Sequence, residues 1–214
     1  DAVCTISKVT DDVVHAVAPE IERYYIPHAV ASESFKPLPE KDVIKAKLDS
    51  LGPEGSKKMV FFWNNRNARR KQSGTLIFWF KEFLDQVGHD NACLIMHTDP
   101  KDPHGQDLEH LINMLDMDNG QIMLSTAKYP EQHLAAIYNM TGGLQEQVTN
   151  GEEWFGIGIE PCSKAIIGSQ EIPYIREDRM NKEEFVNALV EFYNMTPEQR
   201  KDMGARGREH VLMN

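Results

Sequence analysis

The clearest change from apolar to polar and back to apolar lies between residues 59 and 87. It begins with the apolar run MVFFW at residues 59–63, whose β-branched and aromatic side chains predict a buried strand. It ends with apolar side chains at three- and four-residue steps over residues 76–87, which predict an amphipathic helix. The polar loop between them carries four cations, and Ser73-Gly74 stands where the helix should begin; the cations are Arg66, Arg69, Arg70 and Lys71.

This succession of strand, basic loop and helix start predicts a site for an anionic group. The first amides of a helix have no partner within the helix, and the positive end of the helix dipole lies beside them. Arginine adds paired donors that match two oxygens of a phosphate. A solvated basic turn without a ligand is the alternative, and the spacing alone leaves both open.

The same pattern continues along the chain. Residues 92–97 and 121–125 are apolar and predict two more strands, while residues 107–115 and 130–138 predict helices. Strands that alternate with helices predict an α/β fold, a Rossmann-like parallel sheet with flanking helices. Ligands of such sheets bind at the carboxyl ends of the strands, where three polar loops fall: residues 64–71, 97–102 and 125–128.

Outside this region we predict a strand at residues 1–7, helices at 8–17 and 42–51, and two closing helices from 183 and 196. Residues 160–164 are expected to re-enter the sheet, with Cys162 buried as a small apolar residue. The aromatic residues of the central helix are expected in the core: Phe78, Trp79, Phe80 and Phe83.

Composition limits the function classes. The chain has 214 residues, a formal charge of −10 and three cysteines without CxxC spacing, which indicates reduced thiols, a cytoplasmic protein and no zinc site. No run of apolar residues is long enough to span a membrane, and the beginning of the sequence lacks the pattern of a signal peptide. The negative charge disfavours an extended nucleic-acid interface but leaves room for a local basic pocket.

Several segments, in order, resemble the donor-binding half of a GT-B glycosyltransferase of the "glycosyl transferases group 1" family. The segment IPHAVASESFKP, residues 26–37, is similar to the family's linker between its acceptor and donor domains, and Asn65-Arg66 to Lys71 is similar to its G-R-x-x-x-x-K-G motif. Ser125 and residues 130–138 resemble the loop and helix beside the nucleotide. The sequences HTDPKDPHGQDL and IEPCSKAIIGSQ look most like those of family members encoded by tailed phages.

The resemblance also covers the last third of the chain. Gly142-Gly143, Glu146 and Asn150-Gly151 are similar to the family's G-G-x-x-E-x-v-x-d-G motif, and RKDMGARGREHVL to its final helix. It implies that residues 1–30 are a remnant of the acceptor domain and crossover, 31–41 a linker, and 42–214 the nucleotide-sugar-binding domain. A segment carrying a glutamate loop is then expected to be missing between residues 139 and 141.

The resemblance implies a transferase that moves a sugar from a nucleoside diphosphate sugar to an unknown acceptor, with retention of configuration. Arg66 and Lys71 would stabilise the diphosphate leaving group, whereas Arg69 and Arg70 are expected to face solvent. No metal or other cofactor is expected. The remaining donor-site residues are expected to be Asn65, His97, Thr98, Ser125, Tyr129, Glu131 and Leu134.

Three alternatives stay open. The chain is a non-catalytic nucleotide-binding module if the acceptor domain and the glutamate loop are absent. It is a phage DNA-base glycosyltransferase if the acceptor is DNA. The third alternative concerns a metal, because His97, Asp99, Asp102 and His104 offer two imidazoles and two carboxylates; the prolines beside both aspartates favour ordinary turns instead.

Overall fold

The computed structural model describes residues 2–26, 29–140, 153–167, 170 and 174–213, with no account of the side chains of residues 175 and 176. The chain divides into two compact units, residues 1–36 and 37–214. The division falls within residues 31–41, and the assignment of the two parts to acceptor and donor domains stays a prediction. The first unit contains β1 (Ala2–Thr5), α1 (Lys8–Val17) and β2 (Glu22–Tyr25).

The second unit has five strands and six α-helices in its described part. They are α2 (Glu40–Gly55), β3 (Met59–Asn64), α3 (Ser73–Val87), β4 (Ala92–His97), α4 (Leu108–Met114), β5 (Ile122–Ser125), α5 (Glu131–Met140), β6 (Ser163–Ile167), β7 (Ile175–Arg179), α6 (Lys182–Asn194) and α7 (Pro197–Met213). A 3-10 turn, Arg69–Lys71, precedes α3.

Strands β3, β4 and β5 form a parallel sheet in that order. Its register places Asn64 opposite His97 and His97 opposite Ser125, so the three strands end at one level. The predicted α/β fold with a parallel sheet and flanking helices is confirmed. The loops after β3, β4 and β5 therefore share the carboxyl edge of the sheet.

The alternation of side chains along β3 explains why helices cover both faces of this sheet. Phe61 points to one face, where it packs with buried residues of α3, α4 and α6. Val60 and Phe62 point to the other, where they pack with Cys93 and Ile95 and with partly buried residues of α2 and α5. Phe61 meets Phe80 and Phe83 edge to face, with ring centroids 5.6 and 5.4 Å apart. Such pairs contribute about 0.5–1.5 kcal/mol beyond their buried area.

The first unit buries little. Strands β1 and β2 pair in parallel, and the Ser7 side chain caps α1 by accepting from the Thr10 amide. Thr5 is the only buried residue among the described residues of this unit. Val9, Val13 and Val17 form a stripe along α1 whose side chains are 75%, 57% and 77% exposed.

Three expectations are wrong. Residues 160–164 do not re-enter the parallel sheet, because β6 pairs antiparallel with β7 in a sheet of their own. Cys162 is exposed, because it lies at the end of this hairpin beside the largely exposed strand β6, where its amide donates to the Arg179 carbonyl at 2.8 Å. Phe78 is 45% exposed on α3, although Phe80 and Phe83 lie in the core as predicted.

Several interpreted segments lie outside the described residues. They include Pro27 and His28 of the linker and the motif with Gly142-Gly143, Glu146 and Asn150-Gly151. Helix α5 continues to Met140, so the expected missing segment after residue 139 stays a prediction. Among the helices described, none has the length and apolar character needed to span a membrane.

Candidate functional site

The carboxyl edge of the sheet brings three predicted site residues together. His97 ends β4, Ser125 ends β5, and Tyr129 lies in the loop after β5. Ser125 Oγ donates to Tyr129 Oη at 3.1 Å, and His97 Nδ1 lies 2.9 Å from the same Ser125 oxygen.

Aromatic contacts support the same cluster. The rings of His97 and Tyr129 stack with centroids 5.3 Å apart, and His133 of α5 meets Tyr129 edge to face at 6.1 Å. Tyr129 is 39% exposed, so part of the ring remains open to solvent. The result is a partly exposed aromatic surface held at the end of two adjacent strands.

Thr98 is the residue after His97 and is 8% exposed. Its amide donates to the Ser125 carbonyl at 3.0 Å, which extends the pairing of β4 with β5 by one residue. Its hydroxyl is buried without a hydrogen-bond partner among the described residues. Thr98 therefore fixes the two loops through its backbone.

Arg66 is paired with the neighbouring loop. Its Nε and Nη2 donate to the two carboxylate oxygens of Asp102 at 2.6 and 3.2 Å, and Nη2 lies 2.9 Å from His104 Nδ1. The hydrogen bonds from Arg66 and from the His104 amide hold the pKa of Asp102 well below its ordinary value. The Arg66 side chain is 62% exposed whereas that of Asp102 is 10% exposed, so the guanidinium covers the carboxylate and keeps an open outer side.

The possible metal ligands after β4 do not converge. Asp102 and His104 contact Arg66, Asp99 accepts from the Lys101 amide at 2.9 Å, and His97 contacts Ser125. Asp99 and Asp102 each accept an amide two residues ahead, as the proposed turns require. No group of three or more metal-ligating side chains occurs within the described part of the chain.

The start of α3 is occupied by the protein's own side chains. Gln106 Oε1 accepts from the Gly74 amide at 2.8 Å, and Ser73 Oγ donates to Asn67 Oδ1 at 2.6 Å. Gln106 lies so close that a Cβ at position 74 would come within 2.3 Å of its Oε1. The expectation that the amides of this helix start are open to an anion is therefore wrong for Gly74.

Asn67 and Gln106 are the structural residues that the sequence patterns did not reveal. Asn67 is fully buried, and its Nδ2 donates to the carbonyls of Gln106 at 2.7 Å and Pro100 at 3.4 Å. Together with the Arg66–Asp102 pair, these bonds join the loop after β3 to the loop after β4. The only signal in the sequence was that both loops belong to one sheet edge.

The other cations differ in exposure. Arg69 and Arg70 are exposed, which confirms the prediction that they face solvent. Lys71 is partly buried and borders a cavity of about 220 Å³ whose walls include Trp63, Thr75 and Trp79. Lys71 therefore lies at the same loop as Arg66 but beside an apolar surface.

The remaining predicted site residues are spread along the edge. Asn65 follows β3 and is partly buried, and Glu131 is the exposed first residue of α5. Leu134 packs with the core on the α2 and α5 face of the sheet. Its contact is with the protein interior, one turn of helix beyond Glu131.

Comparison with known families and proteins supplies a single kind of similarity. No family model matches the chain, and no curated protein matches it. Among solved structures it is similar to a glycosyltransferase from Rickettsia africae ESF-5, with 17% sequence identity and a TM-score of 0.47. The similarity covers 66% of this chain and 36% of that one, so the chain spans about a third of that protein's length.

Proposed function

We propose that the chain is the donor-binding part of a glycosyltransferase that uses a nucleoside diphosphate sugar. One observation carries the proposal: three neighbouring parallel strands end at one level, and their loops present a cation, an imidazole, a hydroxyl and an exposed aromatic ring. These groups belong to Arg66, His97, Ser125 and Tyr129. They are the positions where the resemblance to the group 1 family expects the donor.

Sugar transfer requires stabilisation of the negative charge that develops on the diphosphate leaving group. The bond between the anomeric carbon and the diphosphate oxygen breaks, and the oxygen leaves with the bonding electrons. A new bond forms between the anomeric carbon and an acceptor oxygen, whose proton passes to the departing diphosphate. Cations at the leaving group accelerate this step only if they bind the growing negative charge more strongly than the intact donor. In the proposal, the outer side of Arg66 and the ammonium of Lys71 supply that charge without a metal.

Asp102 positions Arg66 for this role. A bidentate ion pair fixes the plane of the guanidinium, so less side-chain entropy is lost when a phosphate binds its outer side. The same carboxylate reduces the net charge of the cation. This second effect favours the competing function, a nucleotide-binding module that transfers no sugar. An arginine whose charge is partly neutralised can bind a diphosphate, but it stabilises the extra negative charge of the leaving group only weakly.

Binding of nucleoside diphosphates tests the site. The diphosphates of uridine, guanosine, adenosine, cytidine and thymidine are compared first, and the one that binds best is used. We expect Arg66→Ala and Lys71→Ala each to lower its affinity by about tenfold, the effect of one lost charge-assisted hydrogen bond. Arg69→Ala and Arg70→Ala are matched controls, because both arginines are exposed in the same loop. Calorimetric titration of the purified chain measures all four variants.

Asp102→Asn separates the cation from the loop contact. It breaks the same ion pair as Arg66→Ala but keeps the guanidinium, so we expect a smaller loss of nucleotide affinity than in Arg66→Ala, because only the orientation of the cation is lost. Equal losses in Arg66→Ala and Asp102→Asn would reduce Arg66 to a residue that only joins two loops. Transfer is then measured with the matching labelled sugar donor, and a hydroxymethylated DNA duplex among the acceptors tests the DNA alternative. Tight nucleotide binding with no hydrolysis or transfer of the sugar favours the binding module.

A further inference from the structure

A depression lined by cations lies at the edge of the parallel sheet where the strands begin, opposite the candidate donor site. It has a volume of about 520 Å³ and is bordered by the first residues of β3 and by Asn91, just before β4. Strand β3 runs from this edge to the candidate donor site, and its six residues at about 3.3 Å each separate the two by roughly 16–20 Å. The depression therefore belongs to another surface of the second unit.

Four cations line this depression: Lys47, Lys57, Lys58 and Arg200. Lys57 is paired with Glu54 at 2.8 Å. Within the described residues, no carboxylate lies within ion-pair distance of the other three. For a chain with a formal charge of −10, three cations without a paired carboxylate in the described part of the chain are an unusual concentration of positive charge in one depression.

Backbone carbonyls hold these cations in place. Lys47 Nζ donates to the Lys58 carbonyl at 2.6 Å, and Lys58 Nζ donates to the carbonyls of His89 and Gly120, both at 3.3 Å. Arg200 Nη1 donates to the carbonyls of Met195 and Tyr193. A carbonyl dipole orients a cation without cancelling its charge, so the three groups are pre-positioned and remain attractive to an anion.

Burial increases the benefit of a bound anion. Lys47 is partly buried, and burial lowers the pKa of its ammonium group. The nearby thiol of Cys93 supplies no counter-charge, because burial raises the pKa of Cys93 to about 11 and keeps it neutral at physiological pH. An anion in the depression would offset the desolvation of Lys47 that the folded chain otherwise bears.

We propose that this depression, lined by Lys47, Lys58 and Arg200, binds a phosphorylated small molecule. The phosphoryl group lies among the three cations, since arginine offers paired donors and lysine acts as a point charge. Tyr193 and Met195 border the same space and provide an apolar surface for the organic part. The volume is within the range of small-molecule pockets, about 300–1,000 Å³, and exceeds what a lone phosphate fills.

Amide NMR of the full chain tests the proposal, with inorganic phosphate and phenyl phosphate as probes against chloride at constant ionic strength. We expect saturable shifts at Lys58, Met59 and Asn91, with dissociation constants of about 1–10 mM for phosphate and tighter binding of phenyl phosphate. Shifts confined to the loops after β3, β4 and β5, or shifts that rise linearly with concentration, would overturn the site. This location separates it from the proposed donor site.

Charge-removing variants sharpen the test. Lys47→Gln and Arg200→Gln are expected to weaken phosphate by about tenfold each. Lys45→Gln and Lys201→Gln are matched controls, because they remove the same charge from the exposed faces of α2 and α7 and should leave affinity unchanged. Lys47→Arg keeps the charge and is expected to restore binding. Equal losses in the control variants would mean that phosphate responds only to the overall charge, and the proposal would fail.

Discussion

At the scale of single residues, Asn67 and Cys93 represent two ways to place a polar atom inside this fold. Asn67 has no exposed surface, and both ends of its amide form hydrogen bonds across two loops. Cys93 is 1% exposed and avoids the cost of a buried charge by staying protonated. The first solution depends on several partners at once, so it is the more sensitive to substitution.

Replacement of Asn67 by alanine is expected to lower the free energy of unfolding by about 2–4 kcal/mol. The change removes the partner of the buried Ser73 hydroxyl, whose loss costs about 1–3 kcal/mol, and also removes the part-buried hydrogen bond to the Gln106 carbonyl. Urea unfolding followed by circular dichroism measures the change. Asn113→Ala, at an exposed position of α4, is the control, with an expected effect within about 0.5 kcal/mol. Similar values for the two variants would contradict the role of Asn67.

At the scale of elements, hydrophobic period and capping residues determine what the sequence predicts. The runs at β3, β4 and β5 were all identified, because each depends on neighbours along the chain. The antiparallel hairpin of β6 and β7 was missed, because β7 reads IREDR, with one apolar residue, and therefore lacks the hydrophobic pattern of a strand. The loops were predicted to share an edge, while the Asn67 and Gln106 contacts between them, which lie beyond the local pattern, were not.

In helix α2, one glycine is required by its backbone conformation. The chain was expected to stop being helical at Leu51, and the structure breaks the helix at Gly52, where φ is 69°, before a last turn that ends at Gly55. Gly204 lies within the helix α7 and lacks such an angle. A Cβ added at either position meets nothing within 4 Å. Space is therefore equal at the two sites, and conformation alone differs.

Alanine at these two glycines is expected to have opposite effects. Gly52→Ala should lower the free energy of unfolding by about 1–3 kcal/mol, because a φ of 69° with a ψ of 179° is a backbone region that is almost restricted to glycine. Gly204→Ala should raise it by about 0.5–1 kcal/mol, because alanine stabilises a helix interior relative to glycine. Thermal and urea unfolding measure both. A shift of the same sign in the two variants would show that their local backbone is not what separates them.

At the scale of the whole molecule, the two units differ in how much they bury. The second unit has a sheet with a core on each face, whereas the described residues of the first include one buried side chain, Thr5. A two-stranded sheet with one short helix is marginal in water. Stability is therefore expected to be concentrated in residues 37–214 and low in residues 1–36.

Hydrogen exchange of the full chain tests this difference. Amides in β4 should exchange only through global unfolding, because that strand is paired on both sides and buried. Amides in β1 and β2, and the amide of Ile26 just after β2, which donates to the Thr5 carbonyl, should exchange at least about a hundredfold faster. They exchange through local opening, whose free energy is several kcal/mol smaller. A polypeptide of residues 37–214 is the control and is expected to keep the protection of β4. Equal protection of β1 and β4, or loss of β4 protection in the shorter chain, would mean that the two units unfold as one.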